Sequence, residues 1–275
     1  MSKTTDFPYL HGFTEKEQTR LRTQAAFAEH TIFQKINFND VKNILEVGCG
    51  VGAQTEIMLR RFPKVHVTGI DLSDPQLKAA ESYLNTIPYA KGRFDLKKMS
   101  ADNLSFEAGS FDGAYLCWVL EHVPEPARVL SEVRRVLRPG AEIVVNEVMN
   151  HSFFLDPYSP HVWKYWMAFN DYQYDKAGDP FVGVKLGNLL TQVGYQNVRT
   201  EIKTWHLDNR SPAKRKETIL FWTELMLSGA EALLKENYVD EETVKKTQEE
   251  LHQVANDPNA VFFFSFMQAK ASVFY

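Results

Sequence analysis

The chain has 275 residues, of which 44% are hydrophobic and 24% charged, and its formal net charge is -4. This composition excludes a disordered or fibrous protein, and it predicts no nucleic-acid partner, because such a partner normally requires a basic face. No segment approaches the roughly 18 uninterrupted apolar residues of a membrane span, and the N-terminus has no apolar run of signal-peptide length. We therefore expect a cytoplasmic protein without a membrane partner.

The first half of the chain alternates short apolar runs with amphipathic segments. Thr14 to Glu17 has the form of a capping box, which predicts the start of a helix. The elements predicted here, in chain order, are a helix over 15–36, a strand over 43–47, a helix over 53–61, a strand over 65–70, a helix over 73–85 capped by Ser73, a weak strand over 93–99, a strand over 111–118 and a helix over 125–137. Such alternation predicts parallel βαβ units and a doubly wound α/β fold.

The second half opens with a helix-breaking Arg138-Pro139-Gly140 and then changes rhythm. The elements predicted here are a strand over 141–147, an aromatic-rich segment to about 174, a helix over 184–193, a strand over 197–206, helices over 213–236 and 241–256, and a strand over 260–273. No linker marks a second independent domain. We expect a single domain, with an N-terminal helical cap over 1–40, a cofactor-binding core over 41–150 and cap insertions over 151–180 and 210–258.

A glycine turn follows the first predicted strand, in Leu45-Glu46-Val47-Gly48-Cys49-Gly50-Val51-Gly52. Glycines at such a turn let the backbone approach a ligand closely and tolerate positive φ. Gly48, Gly50 and Ala53 also satisfy the loose dinucleotide fingerprint GxGxxG/A, so a nicotinamide-dependent oxidoreductase is one hypothesis. Asp71, at the end of the second strand, is placed to accept both hydroxyls of an adenosine ribose under either cofactor hypothesis.

Five motifs in order make the chain resemble a known family. They are Glu46 within ExGCGxG, Asp71 within GIDLS, Phe111-Asp112 at the start of the fourth strand, Leu120-Glu121-His122-Val123 after it, and Val136-Leu137-Arg138-Pro139-Gly140. Together they are similar to class I S-adenosylmethionine-dependent methyltransferases, especially the ubiquinone/menaquinone-biosynthesis type and related small-molecule methyltransferases. The resemblance covers roughly residues 41–148. It implies a Rossmann-like, mostly parallel seven-stranded sheet whose last strand is antiparallel, with helical cap insertions.

The resemblance also implies where S-adenosyl-L-methionine binds. In the family the glycine loop lies against the methionine moiety, the acid after the second strand binds the ribose, and the loop before the fourth strand holds adenine. The expected cofactor-binding residues are Glu46, Gly48, Cys49, Gly50, Gly52, Asp71, Leu72, Ser100, Ala101, Asp102 and Trp118. One departure is that Ser100 stands where the family usually has the acid that accepts from the adenine amino group, so Asp102 is the alternative acceptor.

Aromatic residues occupy nine of the 24 positions from 151 to 174, which is about three times the 13% aromatic content of the whole chain. Two interpretations stay open for this segment. It forms a lid over a small-molecule acceptor, with Phe153, Phe154, Trp163 and Trp166 as substrate-binding residues, or it packs as a satellite core.

The predicted reaction is methyl transfer by in-line displacement, which needs chiefly alignment in a water-poor site. A base is required only when the nucleophile arrives protonated, and Glu147, His151 and His122 are the candidate catalytic residues. Oxygen, nitrogen, sulfur and carbon acceptors all stay open, and no oligomeric state is indicated. A non-catalytic S-adenosylmethionine-binding protein is the remaining alternative.

Cys49 and Cys117 are too few for a disulfide scaffold and lack metal-ligand spacing, so we expect free thiols and no metal. In a doubly wound sheet the first and fourth strands are neighbours, because the strand order reverses between them. We therefore expect both cysteines near one another at the carboxyl edge of the sheet.

Overall fold

The computed structural model describes residues 15–274, apart from the side chain of Lys16. The predicted capping residue Thr14 lies outside the described residues. The helices and strands are α1 (Glu15–Phe33), β1 (Asn43–Val47), α2 (Ala53–Arg61), β2 (His66–Asp71), α3 (Asp74–Asn85), β3 (Phe94–Lys98), β4 (Phe111–Cys117), α4 (Pro126–Val136), β5 (Leu137–Val148), β6 (Phe154–Asp156), α5 (Pro160–Asp175), α6 (Leu186–Val193), β7 (Gln196–Leu207), α7 (Pro212–Leu227), α8 (Ala230–Lys235), α9 (Glu241–Asn256) and β8 (Val261–Ser272).

These elements divide between two compact units. The core unit comprises residues 15–148, 181–203 and 266–274, and the second unit comprises 149–180 and 204–265. The boundary between the units falls inside β7 and β8, two long strands that pair with each other.

The core unit is built on parallel strands in the order β3-β2-β1-β4-β5, with β8 antiparallel to β5. Val47 of β1 pairs with Ile70 on one side and Leu116 on the other, so β1 lies between β2 and β4. The strand order reverses between β1 and β4, and ligands of doubly wound folds bind in the crevice at such a point. The predicted adjacency of the first and fourth strands and the antiparallel last strand are confirmed.

Helices cover both faces of this sheet. Along α4 the apolar residues Val129, Val133 and Val136 recur at helical spacing, and they pack into one buried cluster with Leu45 and Val145 of the strands. On the other face Phe33 of α1 stacks on Tyr115 of β4, with ring centroids 5.6 Å apart. The side-chain amide of Gln268 on β8 donates to the backbone carbonyl of Ile32 at 2.9 Å, which fixes the end of α1.

The second unit is held together by aromatic packing. Trp222 of α7 contacts Phe262 and Phe264 of β8, with ring centroids 5.1 and 4.6 Å apart. The buried hydroxyl of Tyr165 on α5 donates to the carbonyl of Met226 at 2.7 Å, which satisfies a polar group that burial would otherwise penalise. The short strand β6 pairs antiparallel with the first residues of β8.

The predicted and observed elements differ most in four places, and the other boundaries agree to within two residues. The first helix ends at Phe33 rather than 36, where the Ile36 amide closes a turn onto Phe33. β5 begins at Leu137 instead of 141, because a register irregularity against β4 absorbs Pro139 and Gly140 within the strand. The helix predicted over 213–236 is interrupted at Ser228 and Gly229. The three-residue β6 adds an eighth strand to the seven expected.

Within residues 15–274, no helix combines the length and the apolar character that crossing a membrane requires.

Candidate functional site

The glycine loop joins β1 to α2 at the reversal of strand order. Gly48, Gly50 and Gly52 all have left-handed backbone conformations, with φ of 69°, 51° and 73°. The amides of Gly48 and Cys49 both donate to the carbonyl of Ile70, at 2.8 and 3.0 Å, which ties the loop to β2. A Cβ atom added to Gly50 would meet nothing within 4 Å, so this part of the loop faces open space. The loop is thus fixed in shape and open to a ligand at Gly50.

Asp71 links the loop to the next helix. Its Oδ2 accepts the Gly50 amide and its Oδ1 accepts the Ser73 amide, both at 2.9 Å. Burial raises the pKa of this carboxyl, and the backbone donors oppose that rise. Each oxygen retains a second lone pair, so the half-buried carboxylate can still accept hydrogen bonds from a ligand. The neighbouring Leu72 side chain is 60% exposed. Ser73 caps α3 as predicted, by accepting the Gln76 amide.

The loop after β3 lies beside Asp71, because the Met99 amide donates to the Asp71 carbonyl at 3.0 Å. The Ser100 hydroxyl donates to Asp102 Oδ1 at 2.5 Å. Arg128 donates to the Asp102 carbonyl at 3.2 Å. Ser100, Ala101 and Asp102 are all half-buried. The structure therefore brings the predicted ribose and adenine residues to one edge of the sheet.

Glu46 is buried beneath the glycine loop. The Thr55 hydroxyl donates to Glu46 Oε2 at 2.5 Å. Burial raises the pKa of Glu46 to about 8, the Thr55 hydrogen bond lowers it, and the nearby Asp71 charge raises it. At neutral pH this carboxyl is therefore largely protonated. Its role in this position is to join β1 to α2 below the loop.

The two cysteines are free thiols. Cys49 is buried, and a Cβ atom added to Gly69 of β2 would lie 2.9 Å from its Sγ. Cys117 Sγ accepts a hydrogen bond from the side-chain amide nitrogen of Gln54, Nε2, at 3.8 Å. β1, which ends two residues before Cys49, and β4, which ends at Cys117, are adjacent as predicted, while the Cys49 side chain packs on β2.

The turn after β4 carries Trp118 and the predicted acid and base. Trp118 has φ of 57°, an unusual value for a non-glycine residue, and its ring lies edge-on to Phe266 at 6.1 Å. Glu147 of β5 is completely buried, and its Oε1 accepts the amides of Val119 and Leu120 at 3.0 and 2.8 Å. Burial and the Glu121 charge raise the pKa of Glu147 to about 8.

His122 and His151 are the other two candidate bases. His122 is half-buried, and its Nε2 lies 3.7 Å from Glu121 Oε1. His151 belongs to the second unit and is exposed. The catalytic roles of Glu147, His122 and His151 stay predictions.

Most of the predicted substrate-binding aromatics lie inside the second unit. Phe153 and Trp166 are 2% and 3% exposed, and their ring centroids are 5.2 Å apart. The Trp166 Nε1 donates to the Asn150 carbonyl at 2.9 Å. Trp163 is half-buried beside Phe153, whereas Phe154 is 47% exposed. Phe153 and Trp166 thus contribute to the core of this unit, and a substrate contact by any of the four stays a prediction.

Sequence reasoning missed two residues that shape the glycine loop. Thr55, in the first turn of α2, is completely buried against Glu46. A signal for it exists, since a polar residue at the start of a helix after a buried acid is a candidate partner for that acid. Val119 packs over Gly48, where an added Cβ would be 2.5 Å from Val119 Cγ2. This contact joins residues far apart in sequence and has no local signal.

Residues 45–145 match the family profile described as "Methyltransferase domain". The chain is 33% identical over 120 residues to O-methyltransferase rstn1 of Aspergillus nomiae, a segment that is 44% of this chain and 50% of that protein. It is 35% identical over 106 residues to the ubiquinone biosynthesis O-methyltransferase of Dechloromonas aromatica, covering 38% of this chain and 44% of that protein. The chain therefore aligns with only about half the length of these relatives, or less.

Solved structures show the same fold across more of the chain. Phosphoethanolamine N-methyltransferase 2 of Haemonchus contortus, solved in complex with S-adenosyl-L-methionine, superposes with a TM-score of 0.56 at 19% identity. The superposition covers 92% of this chain and 53% of that one. The α/β fold predicted from the sequence is confirmed.

Proposed function

We propose that residues 45–145, which match the methyltransferase profile, form a class I S-adenosylmethionine methyltransferase domain. The protein then transfers the methyl group of S-adenosyl-L-methionine to a small-molecule acceptor. The acceptor class is supported by the relatives named above, among which are O-methyltransferases. The family match disfavours the nicotinamide-dependent oxidoreductase that the glycine pattern alone had left open.

The hydrogen bond between Gly50 and Asp71 is the observation that carries this proposal. It holds an open glycine loop and a partly unsatisfied carboxylate side by side at the reversal of strand order. A carboxylate there suits a vicinal diol such as a ribose, and an open glycine suits a ligand that approaches the backbone closely.

The residues of the core unit fit the cofactor in four further respects. The exposed Leu72 offers an apolar surface next to the acid, and the carboxylate of Asp102 offers an acceptor one strand further along. The buried Glu46 is largely neutral at pH 7, so it adds little negative charge beneath the loop. When bound, S-adenosylmethionine supplies an electrophilic methyl group on a sulfonium centre, and ring faces such as that of Trp118 favour a nearby cation.

The chain contributes chiefly binding and orientation to this reaction, because an in-line displacement depends on alignment in a water-poor site. Where the acceptor arrives protonated, a base must take its proton. His122 suits this role best among the three candidates of the sequence, since it is half-buried at the end of β4 and lies beside Glu121. Exposed His151 is the second candidate.

We place the protein in the cytoplasm and expect no nucleic-acid partner. Two free cysteines suit a reducing compartment, and a net charge of -4 gives no electrostatic reason for nucleic-acid binding.

The proposal is tested by incubating the protein with methyl-labelled S-adenosylmethionine and fractionated metabolite extracts. We expect acceptor-dependent formation of S-adenosylhomocysteine and a labelled product of low molecular mass, both strongly reduced with Asp71→Ala at a low concentration of S-adenosylmethionine. Binding of S-adenosylmethionine without turnover on any fraction would favour the non-catalytic alternative. Label transferred to protein would contradict a small-molecule acceptor.

A further inference from the structure

The turn after β4 is held by the neighbouring strand β5 as well as by its own residues. The Trp118 amide donates to the Asn146 carbonyl at 2.8 Å, and the chain then passes through the left-handed conformation of Trp118 into a 3-10 helix over Leu120–His122. Val119 precedes this helix and provides no side-chain cap. The cap comes instead from Glu147 Oε1, which accepts the amides of both Val119 and Leu120. Unusual backbone conformations persist only where surrounding structure fixes them, and here the carboxyl does so.

The same turn supports the glycine loop. Val119 Cγ2 and Cγ1 would lie 2.5 and 3.2 Å from a Cβ atom at Gly48, so the Val119 side chain fills the space that a larger residue would need. The backbone amide of Val119 is one of the two groups that Glu147 holds. A continuous series of contacts therefore leads from the buried carboxyl of β5 through Val119 to Gly48.

We propose that Glu147 is a positioning residue, which seats Val119 against Gly48 and thereby fixes the glycine loop in its ligand-binding conformation. The nature of that ligand rests on the proposed function, whereas the support of the loop does not. Glu147 acts in this role as a hydrogen-bond acceptor for two amides, and negative charge is not required.

Burial and Glu121 raise the pKa of Glu147 to about 8, so the neutral form predominates at pH 7. Glutamine is also neutral and offers one carbonyl oxygen to both amides. Alanine removes the acceptor and leaves two buried or half-buried amides without it, which loosens the turn. Aspartate keeps an acceptor but withdraws it by one methylene group.

The test compares S-adenosylhomocysteine affinity by calorimetry with melting temperature in a set of variants. We expect Glu147→Ala and Val119→Ala each to raise Kd by about tenfold, and Glu147→Gln to stay within about twofold of the parent. Val133→Ala in α4 is the matched control: it creates a cavity in the core but leaves Glu147, Val119 and Gly48 in place, so it should lower the melting temperature and leave Kd unchanged. If Glu147→Ala does not fold, Glu147→Asp should show the same rise in Kd to a smaller degree.

The double variant Glu147→Ala/Val119→Ala distinguishes positioning from a general loss of stability. Both residues act on Gly48 through one contact. The Kd of the double variant for S-adenosylhomocysteine should therefore be no higher than that of the single variant with the higher Kd. Additive losses of affinity, or a Glu147→Ala variant that melts earlier but binds normally, would overturn the proposal.

Hydrogen exchange at Gly48–Gly52 in the ligand-free protein separates this proposal from the proposed function. Glu147→Ala should accelerate exchange at these amides and Val133→Ala should not, even if the parent binds no S-adenosylhomocysteine. Failure of the parent to bind would count against the proposed function alone, whereas unchanged exchange in Glu147→Ala would overturn the positioning role.

Discussion

At the scale of single residues, the site depends on a few polar atoms whose hydrogen bonds leave capacity for a ligand. Asp71 accepts two backbone amides and keeps lone pairs available, so it both shapes the loop and offers acceptors. Asp71→Ala should weaken S-adenosylmethionine binding by roughly 1.5–3 kcal/mol, because two ribose hydroxyls lose a charged acceptor. Calorimetry on the folded variant measures this. Unchanged affinity would contradict the assignment of the ribose to Asp71.

Gly50 permits a test with a matched control elsewhere in the chain. Gly50→Val should abolish cofactor binding, since its side chain would enter the open space before the loop. Gly92 also has a positive φ, of 72°, and an added Cβ there also meets nothing within 4 Å. Gly92→Val therefore carries similar backbone strain, roughly 1–2 kcal/mol, at the opposite end of β3 from the site. We expect both variants to lose stability and only Gly50→Val to lose binding; retained binding in Gly50→Val would mean that the loop does not contact the ligand.

Glu46 should make the stability of the protein depend on pH. Its pKa is raised from 4.5 to about 8, so the folded state keeps a proton that the unfolded chain releases. The free energy of unfolding should therefore fall as the pH rises from about 5 to 8. Glu46→Gln cannot ionise and should show a shallower fall over this range, measured by urea denaturation. Glu147, whose pKa is raised in the same direction, should leave a residual slope in that variant. Equal slopes for the parent and the variant would mean that Glu46 is already ionised at pH 5.

At the scale of secondary structure, elements with strong periodicity could be predicted and those fixed by tertiary contacts could not. β1 is a short, mostly apolar run followed by glycines, and α4 repeats valines at helical spacing, so both were evident from the sequence. The first four residues of β5 were not, because Pro139 and Gly140 normally end an element, and only the irregular pairing with β4 accommodates them. β6 has three residues, too few for a period to emerge.

The residues of the candidate site also divide into those that the sequence could predict and those that depend on tertiary contacts. The glycines and Asp71 stand at the ends of consecutive strands, where spacing alone indicates a ligand. Val119 and Thr55 matter through contacts that form only when the sheet is assembled.

Two tryptophan variants in α5 distinguish the two interpretations of the aromatic segment, a lid over the acceptor and a satellite core. Trp166 is buried, and its ring nitrogen satisfies the Asn150 carbonyl, so Trp166→Ala should destabilise the protein by about 3–5 kcal/mol. Trp163 is only half-buried, and Trp163→Ala should cost less stability. If the segment also covers the acceptor, Trp163→Ala should affect turnover or acceptor affinity more than cofactor affinity. Denaturation and steady-state kinetics together test this; normal kinetics with reduced stability in both variants would support the satellite core alone.

At the scale of the whole molecule, the core unit carries the match to the methyltransferase profile, and the second unit has its own aromatic interior. The family profile matches residues 45–145 of the core unit, whereas the second unit is built from segments outside that range. We therefore expect the core to determine the cofactor and the remaining segments to contribute most to the choice of acceptor.

The most direct test of the central claim is a calorimetric titration of the complete chain with S-adenosylhomocysteine. We predict saturable binding at one site per chain, lost in Gly50→Val and retained in Gly92→Val. A folded parent protein that shows no binding up to about 1 mM, the weakest affinity expected of a specific site, would contradict it.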